Sequence, residues 1–251
     1  MTRRPRSRLS SHDEQHIWYG DADLVADLLG KQSFVDVFMK QAFGRNPDRA
    51  ERRIIDAILV CLMEHGLTPS AISARLVYSS SPENLQAGVA AGLLAVASRF
   101  VGTMEPCAEL LARIIASDSG AEEARRIAGD YRERRLPVPG FGHHLHRPDD
   151  PRAVALLELA REEGRVGDHV RALELLAAEV DRAGGRHITI NATGAIGALL
   201  GDLGIPVRLM RGFAVLARCA GLIAHIAEEQ NDPTDRFIWD LVDREVSGDR
   251  N

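Results

Sequence analysis

Aromatic side chains are few, 5% of 251 residues, and runs of Val, Ile and Thr at strand period are scarce. Sheet-built cores are rich in both, so a strand-dominated fold is not expected. An excess of one charge is also lacking: 31 Lys and Arg stand against 36 Asp and Glu, a net of -5. That balance gives no global pull toward nucleic acid, and no nucleic-acid partner is expected. Arg3, Arg4, Arg6 and Arg8 do cluster at the start, in a stretch polar enough to be a disordered tail. The opening lacks the apolar segment of a secretory signal, and no run is read as reaching the roughly 20 apolar residues of a membrane span. A cytoplasmic chain without a membrane partner is the expectation. Cysteine is limited to Cys61, Cys107 and Cys219, widely spaced in apolar surroundings, which suits small core residues and not a disulfide or metal set.

What is present favours helix. Ala, Leu, Arg and Glu dominate, and a hydrophobic fraction of 45% supplies a real core, so the expected fold is all-α. Pro47 and Asp48 open a helix that is apolar over residues 54–63 apart from Asp56 and is therefore buried. It ends at His65-Gly66, where Gly supplies a left-handed residue, and Thr68 with Pro69 starts the next. A helix over about residues 83–99 carries Ala87, Gly88, Ala91, Gly92 and Ala95 at three- and four-residue spacings. Such a face admits a close neighbour, either within the chain or across a homodimer interface. Helices follow over about residues 106–117, 121–134, 151–163, 168–183, 191–200 and 206–230, with no internal repeat. The last is apolar on several faces yet carries Arg218 in its middle. A guanidinium keeps its proton, so a buried one must meet a carboxylate of the protein or of a ligand. His225, seven residues on, shares nearly the same face.

The segment with most chemistry is residues 137–152, PVPGFGHHLHRPDDPR. Its glycines and prolines fix an irregular backbone that brings His143, His144, His146, Arg147 and Arg152 within a few residues of one another. Arg152, at a helix start, can bind a carboxylate through two parallel hydrogen bonds, and Arg147 can serve a carboxylate or phosphate. Zinc on His143, His144 and His146 is the competing reading, disfavoured because adjacent histidines point apart and no Cys, Asp or Glu stands at a familiar ligand spacing. No metal is expected. His65 closes a buried helix just ahead of a new helix start, a place where an anion is welcome; its plainer role is a helix cap.

Taken together these segments resemble the citrate synthases. Those enzymes have a His-Glu-Leu-Asn-Ala-Ser stretch, a Gly-Phe/Tyr-Gly-His loop ending in Asp-Pro-Arg, an Asn-Val-Asp segment and a late Ser-Arg followed by His and Glu. Here His65 to Ser70 is similar to the first and Gly140-Phe141-Gly142-His143 through Asp150-Pro151-Arg152 to the second. Asn191-Ala192-Thr193 is similar to the third, and Arg218 with His225 and Glu228 to the last, in the same order over roughly residues 25–230. The resemblance implies a large helical domain, residues 1–105 and 206–251, with a smaller helical domain inserted at 106–205. It implies a homodimer acting on a small dicarboxylate and a coenzyme A thioester co-substrate, with no permanently bound cofactor. His65 and His143 would be catalytic and substrate-binding, and Arg152 and Arg218 would grip carboxylates. Arg147, Val138, Gly140 and Gly142 would lie on the coenzyme A side.

Two departures bear on the reaction. The family's thioester-polarising His has no counterpart in residues 99–105, and Thr193 stands where the carboxylate that removes the acetyl α-proton belongs. Arg99, Glu105 or main-chain amides are the substitutes at hand. Thioester enolisation needs a placed base and a donor to the enolate oxygen. The resemblance is therefore nearest to short citryl-CoA lyase-like members, acting as an acyl-CoA carbon-carbon lyase or acyltransferase. In cleavage of citryl-CoA the first demand is removal of a proton from a tertiary hydroxyl, which His143 could meet. The alternatives are a citrate or methylcitrate synthase-type transferase and a dicarboxylate- or acyl-CoA-binding protein without turnover.

Overall fold

The structure, a computed structural model, describes residues 7–97 and 102–246. Most of the Arg-rich opening and Arg99 lie outside these residues. The chain divides into two compact units, residues 1–56 and 57–251. The domain boundaries expected near residues 105 and 205 both fall inside the second unit.

The first unit holds three short antiparallel strands in the order β1 (Ser10–His12), β2 (Ile17–Tyr19), β3 (Ala22–Asp23). The β1–β2 turn is organised by Asp13, whose carboxylate accepts the Gln15 and His16 amides at 2.8 Å each. A single π-type turn, Leu24–Leu28, follows, and then α1 (Phe34–Phe43). Helix α1 begins on a reciprocal cap in which Ser33 accepts the Asp36 amide and Asp36 accepts the Ser33 amide. Sequence reading anticipated neither this hairpin nor α1.

Helix α2 (Arg49–Met63) runs across the division, and its Ile54, Ile55 and Ile58 are fully buried. It stops short of Gly66, which takes the left-handed conformation expected of it, φ 72°. The second unit continues with α3 (Pro69–Ser80), α4 (Leu85–Leu94), α5 (Met104–Ile115), α6 (Gly120–Glu133) and α7 (Pro151–Glu162). It ends with α8 (Asp168–Gly184), α9 (Ala192–Asp202), α10 (Val207–Asn231) and α11 (Asp235–Val246). The all-α expectation holds, with the small hairpin as its exception among the described residues. Thr68 occupies the cap position of α3, but its hydroxyl bonds to Ser70 Oγ at 2.9 Å and not to the helix backbone.

Helices α9 and α10 are the axis of the second unit. The run Ala195 to Leu200 is buried on every side because α5, α7 and α8 enclose α9. Helix α10 packs on α3, α4, α5 and α9. Its Phe213 has no exposed surface, a burial that stabilises by about 1.5–3 kcal/mol. Among the described residues α10 alone is long and apolar enough to cross a membrane by length and composition, which corrects the reading that no run is. It carries buried Arg218, His225 and Glu229, as suits a core helix with polar work to do. The small-residue face of α4 is used within the chain. A Cβ on Gly88 would lie 2.9 Å from the Ala74 carbonyl, and one on Gly92 would lie 2.6 Å from Leu222 Cδ1, so α4 sits close to both α3 and α10.

Candidate active site

A cavity of about 640 Å³ opens in the second unit, and His65, His143, Arg152 and Arg218 all line it. These four come from the turn after α2, the loop before α7, the first turn of α7 and the middle of α10. Leu62, Pro69 and Phe141 supply apolar wall, while Thr103, Asn191 and Thr193 supply polar wall. Among the described residues no Asp or Glu lines it.

Helix α7 fixes one side. Asp150 caps it by accepting the Arg152 amide at 3.1 Å, and Pro151 sits in the first turn, as an Asp-Pro pair favours. The Asp150 carboxylate is fully buried and also takes both Arg152 Nε at 3.0 Å and Arg152 Nη2 at 2.8 Å, plus the Ala192 amide at 3.0 Å. Burial pushes the Asp150 carboxyl up, but its bonds to Arg152 outweigh this and hold it below the usual range. The two-toothed grip expected of Arg152 on a ligand is thus already spent on Asp150. What Arg152 offers the cavity is Nη1 and the free edge of Nη2, beside His65 Nδ1 at 3.4 Å and His143 Nε2 at 3.3 Å.

His143 is held in one tautomer by its own loop. Its Nδ1 accepts the amides of Leu145 at 3.2 Å and His146 at 3.1 Å, so the ring hydrogen sits on Nε2. Nε2–H and Arg152 Nη2–H are then two donors 3.3 Å apart, an arrangement that calls for an acceptor between them. Burial, reinforced by His146 and Arg152, pushes His143 below the ordinary histidine range. Facing the cavity as a donor, His143 is placed to hold a substrate oxygen. The reading of it as the base for a hydroxyl proton is corrected by this geometry, because protonating Nδ1 would break both loop bonds. His65 is likewise pushed down, by burial first and then by Arg152 and Arg218, and it meets the His143 ring edge-on at 5.9 Å.

Arg218 is the most telling of the four. It is buried, and its Nη1 has no hydrogen-bond partner among the described residues. Burial lowers its pKa, and the field of Glu64 opposes the shift without a bond. The sequence argument required a carboxylate for this group; among the described residues none bonds to Nη1, and the cavity is where one can come from.

Other expected residues fall elsewhere. Arg147 is exposed, and neither it nor Val138 or Gly140 lines the cavity; Gly142 does. Gly140 instead packs the loop onto α9. At φ 86° its Cβ would lie 2.5 Å from Cys107 Sγ and 2.9 Å from Gly194 Cα. Glu105 is tied to Arg211 and is no substitute base, and Arg99 lies outside the described residues. His144 and His146 do not point apart from His143 but stack on it, at 4.6 and 4.3 Å between ring centres. Among the described residues no group of three His, Cys, Asp or Glu could hold a metal.

At the position of the missing carboxylate, Thr193 and Thr103 hydroxyls meet at 2.7 Å. Asn191 donates to the Gly142 carbonyl at 3.0 Å, which turns its Oδ1 toward Thr193 Oγ1 at 2.7 Å. Thr193 spends its hydrogen on Asn191, so the hydrogen between the two threonines belongs to Thr103. Among the described residues no acid or base is bonded to this pair. Sequence reading missed Thr103, Asp150 as the holder of Arg152, and Arg75 on α3. The signal for the last was the one used for Arg218, a guanidinium on an otherwise buried helix.

Residues 14–239 match the family profile described as citrate synthase, C-terminal domain. A solved structure, citryl-CoA lyase from Hydrogenobacter thermophilus, superposes with a TM-score of 0.83 at 32% identity, covering 92% of this chain and 88% of that one. ATP citrate lyase from Methanothrix soehngenii, solved with citrate and coenzyme A, gives a TM-score of 0.75 over 91% of this chain and 40% of that one; at 22% identity it bears on the fold alone. The citrate synthase of Acidithiobacillus ferridurans is 29% identical over 204 residues, 78% of this chain and 51% of that protein. The chain thus spans about half the length of the citrate synthase sequences it matches. With a profile match over most of its length and the four cavity residues in the order the motifs required, the chain belongs to the citrate synthase family.

Proposed function

We propose that the chain is an acyl-CoA carbon-carbon lyase or acyltransferase that cleaves, or forms, the bond between an acyl-CoA and a 2-oxo dicarboxylate such as oxaloacetate, with citryl-CoA as the compound cleaved. The observation that carries the reading is the buried, unpartnered Arg218 guanidinium in a cavity lined by two Arg and three His and, among the described residues, by no acid. An anion is the ligand such a cavity stabilises most.

In the cleavage direction Arg218 and the free edge of Arg152 hold the carboxylates, and His143 Nε2–H donates to the hydroxyl oxygen. His65, kept low in pKa and therefore unprotonated near neutrality, takes the hydroxyl proton. The C–C electron pair moves onto the thioester as an enolate, the hydroxyl carbon becomes the keto carbon of oxaloacetate, and solvent protonates the enolate carbon. The thioester lies toward Phe141 and Gly142; no cofactor is held between turnovers. The family's division into large and inserted lobes, a homodimer and a cytoplasmic location complete the proposal.

A second reading, a dicarboxylate- or acyl-CoA-binding protein without turnover, is favoured by one observation: the Thr103–Thr193 hydroxyl pair where the enolising carboxylate belongs. The two separate on offering citryl-CoA, and in parallel acetyl-CoA with oxaloacetate, while following oxaloacetate release from the first and free thiol from the second. Release of acetyl-CoA and oxaloacetate, or of thiol, establishes turnover. Citrate or oxaloacetate binding without either leaves the binding protein, and absence of both binding and turnover refutes the anion cavity.

A further inference from the structure

The buried polar cluster that the cavity chemistry does not use is centred on His225. Arg75, 1% exposed, directs Nε and Nη2 at His225 Nδ1 from 3.1 and 2.9 Å, and Nη1 at Glu229 Oε2 from 2.7 Å. A guanidinium only donates, so Nδ1 is a bare acceptor and the ring hydrogen is on Nε2. That nitrogen lies 2.7 Å from Glu64 Oε2, close but off the hydrogen-bonding line. The other oxygen of Glu64 accepts the Gly66 amide. Glu64 therefore grips both sides of His65: it precedes that residue in the chain and ties down the residue after it. One turn before His225, α10 touches the same segment again, since a Cβ on Gly221 would fall 1.9 Å from the Met63 carbonyl.

We propose that Arg75, His225 and Glu64 are positioning residues, a relay of polar contacts that runs from α3 through α10 to the Glu64–His65–Gly66 turn and sets where the His65 ring stands in the cavity. The inference rests on the reading of His65 as a ligand-facing group, but the placement of the ring is a property of the free protein. Glu229 anchors the far end of the relay. It accepts Thr234 Oγ1 and the Thr234 and Asp235 amides at 2.7, 2.7 and 3.0 Å, and so holds Arg75 against the start of α11.

The test is ring-nitrogen NMR of the histidines in the full ligand-free chain, together with calorimetry of oxaloacetate. His225 is expected to show hydrogen on Nε2 with Nδ1 bare; the reverse tautomer overturns the relay. His225→Asn leaves Arg75 an acceptor and no longer reaches Glu64. It is expected to move the His65 ring signals and raise the His65 midpoint toward the ordinary histidine value, as the ring leaves Arg152 and Arg218. Unmoved His65 signals in the folded variant overturn the proposal. Should His225→Asn fail to fold, Glu64→Gln at a half-exposed position carries the same measurement. In that variant the Gly66 amide and His225 Nε2–H would compete for the single acceptor oxygen of Gln.

Binding gives a second, opposite-signed readout. Loss of a negative charge alone would tighten oxaloacetate binding to Glu64→Gln, whereas a misplaced His65 weakens it several-fold, and tighter binding overturns the positioning role. If the unaltered chain binds no oxaloacetate, the functional reading fails, while the ring spectra still decide the relay.

Discussion

Replacing Arg218 with Met should make the free protein more stable and the anion site worse, two effects of opposite sign from one substitution. Arg218 is 7% exposed, and its Nη1 finds no partner among the described residues, so the fold bears the desolvation of a charge with only the field of Glu64 to offset it. Exchanging such a buried charge for an apolar side chain of similar length is neutral or stabilises by about 1–4 kcal/mol. In a domain of this size about 1 kcal/mol moves the midpoint of thermal unfolding by 2–4 °C, so a rise of a few degrees is expected. Removing the charged partner of a buried carboxylate costs about 2–5 kcal/mol of binding, which weakens dicarboxylate affinity about 30-fold or more. Thermal unfolding followed by circular dichroism, with and without citrate, reads both effects: citrate raises the midpoint of the unaltered chain and does little for the variant. A variant less stable than the parent in the absence of ligand, or one with the same citrate affinity, refutes the argument that Arg218 is kept unpaired for an anion.

Arg152→Ala should behave in the opposite way in the free protein. It strands the fully buried Asp150 carboxylate and destabilises by about 3–5 kcal/mol, part of which the added change Asp150→Asn recovers, as chemical denaturation would measure. Asp202→Ala removes the carboxylate that accepts the Gly167, His169 and Val170 amides at the start of α8 from the end of α9, at 2.8, 2.8 and 3.2 Å. A loss of about 2–3 kcal/mol and a lower unfolding midpoint are expected, with no change in citrate affinity once folded. His65 and His143 are both held low in the free protein, and the proposed cleavage needs both uncharged in the complex, His65 to take the hydroxyl proton and His143 to keep its loop bonds. Cleavage of citryl-CoA should therefore fall as the pH drops from about 7.5 toward 6, and a pH–rate profile on the folded chain should register the loss. The same shifts act on folding: below about 6.5 the unfolded chain binds more protons at these two residues than the folded one, so their contribution to stability falls as the pH drops.

The all-helical character and nine of the helices were legible in the residues alone, while the grouping of His65, His143, Arg152 and Arg218 in one site came from the resemblance to the citrate synthases. Helix formers dominate, the punctuation by Asp-Pro and Gly is local, and a guanidinium or imidazole keeps its chemical demands wherever it is placed. The hairpin before α1 was not read because its strands are only two or three residues long, whereas α1 and α11 were missed although their apolar residues recur at helical spacing. What tertiary structure alone decided is the use to which each charge is put. Arg152 and Arg218 look alike in sequence, yet one is committed to Asp150, the other has an Nη1 with no partner among the described residues, and Glu105 is absorbed by Arg211. The tautomer of His143, and hence its role as donor, depends on which backbone amides its own loop turns inward. Hydrogen-bond partners are settled by distances of a few ångströms between residues far apart in the chain, and a linear pattern does not contain them.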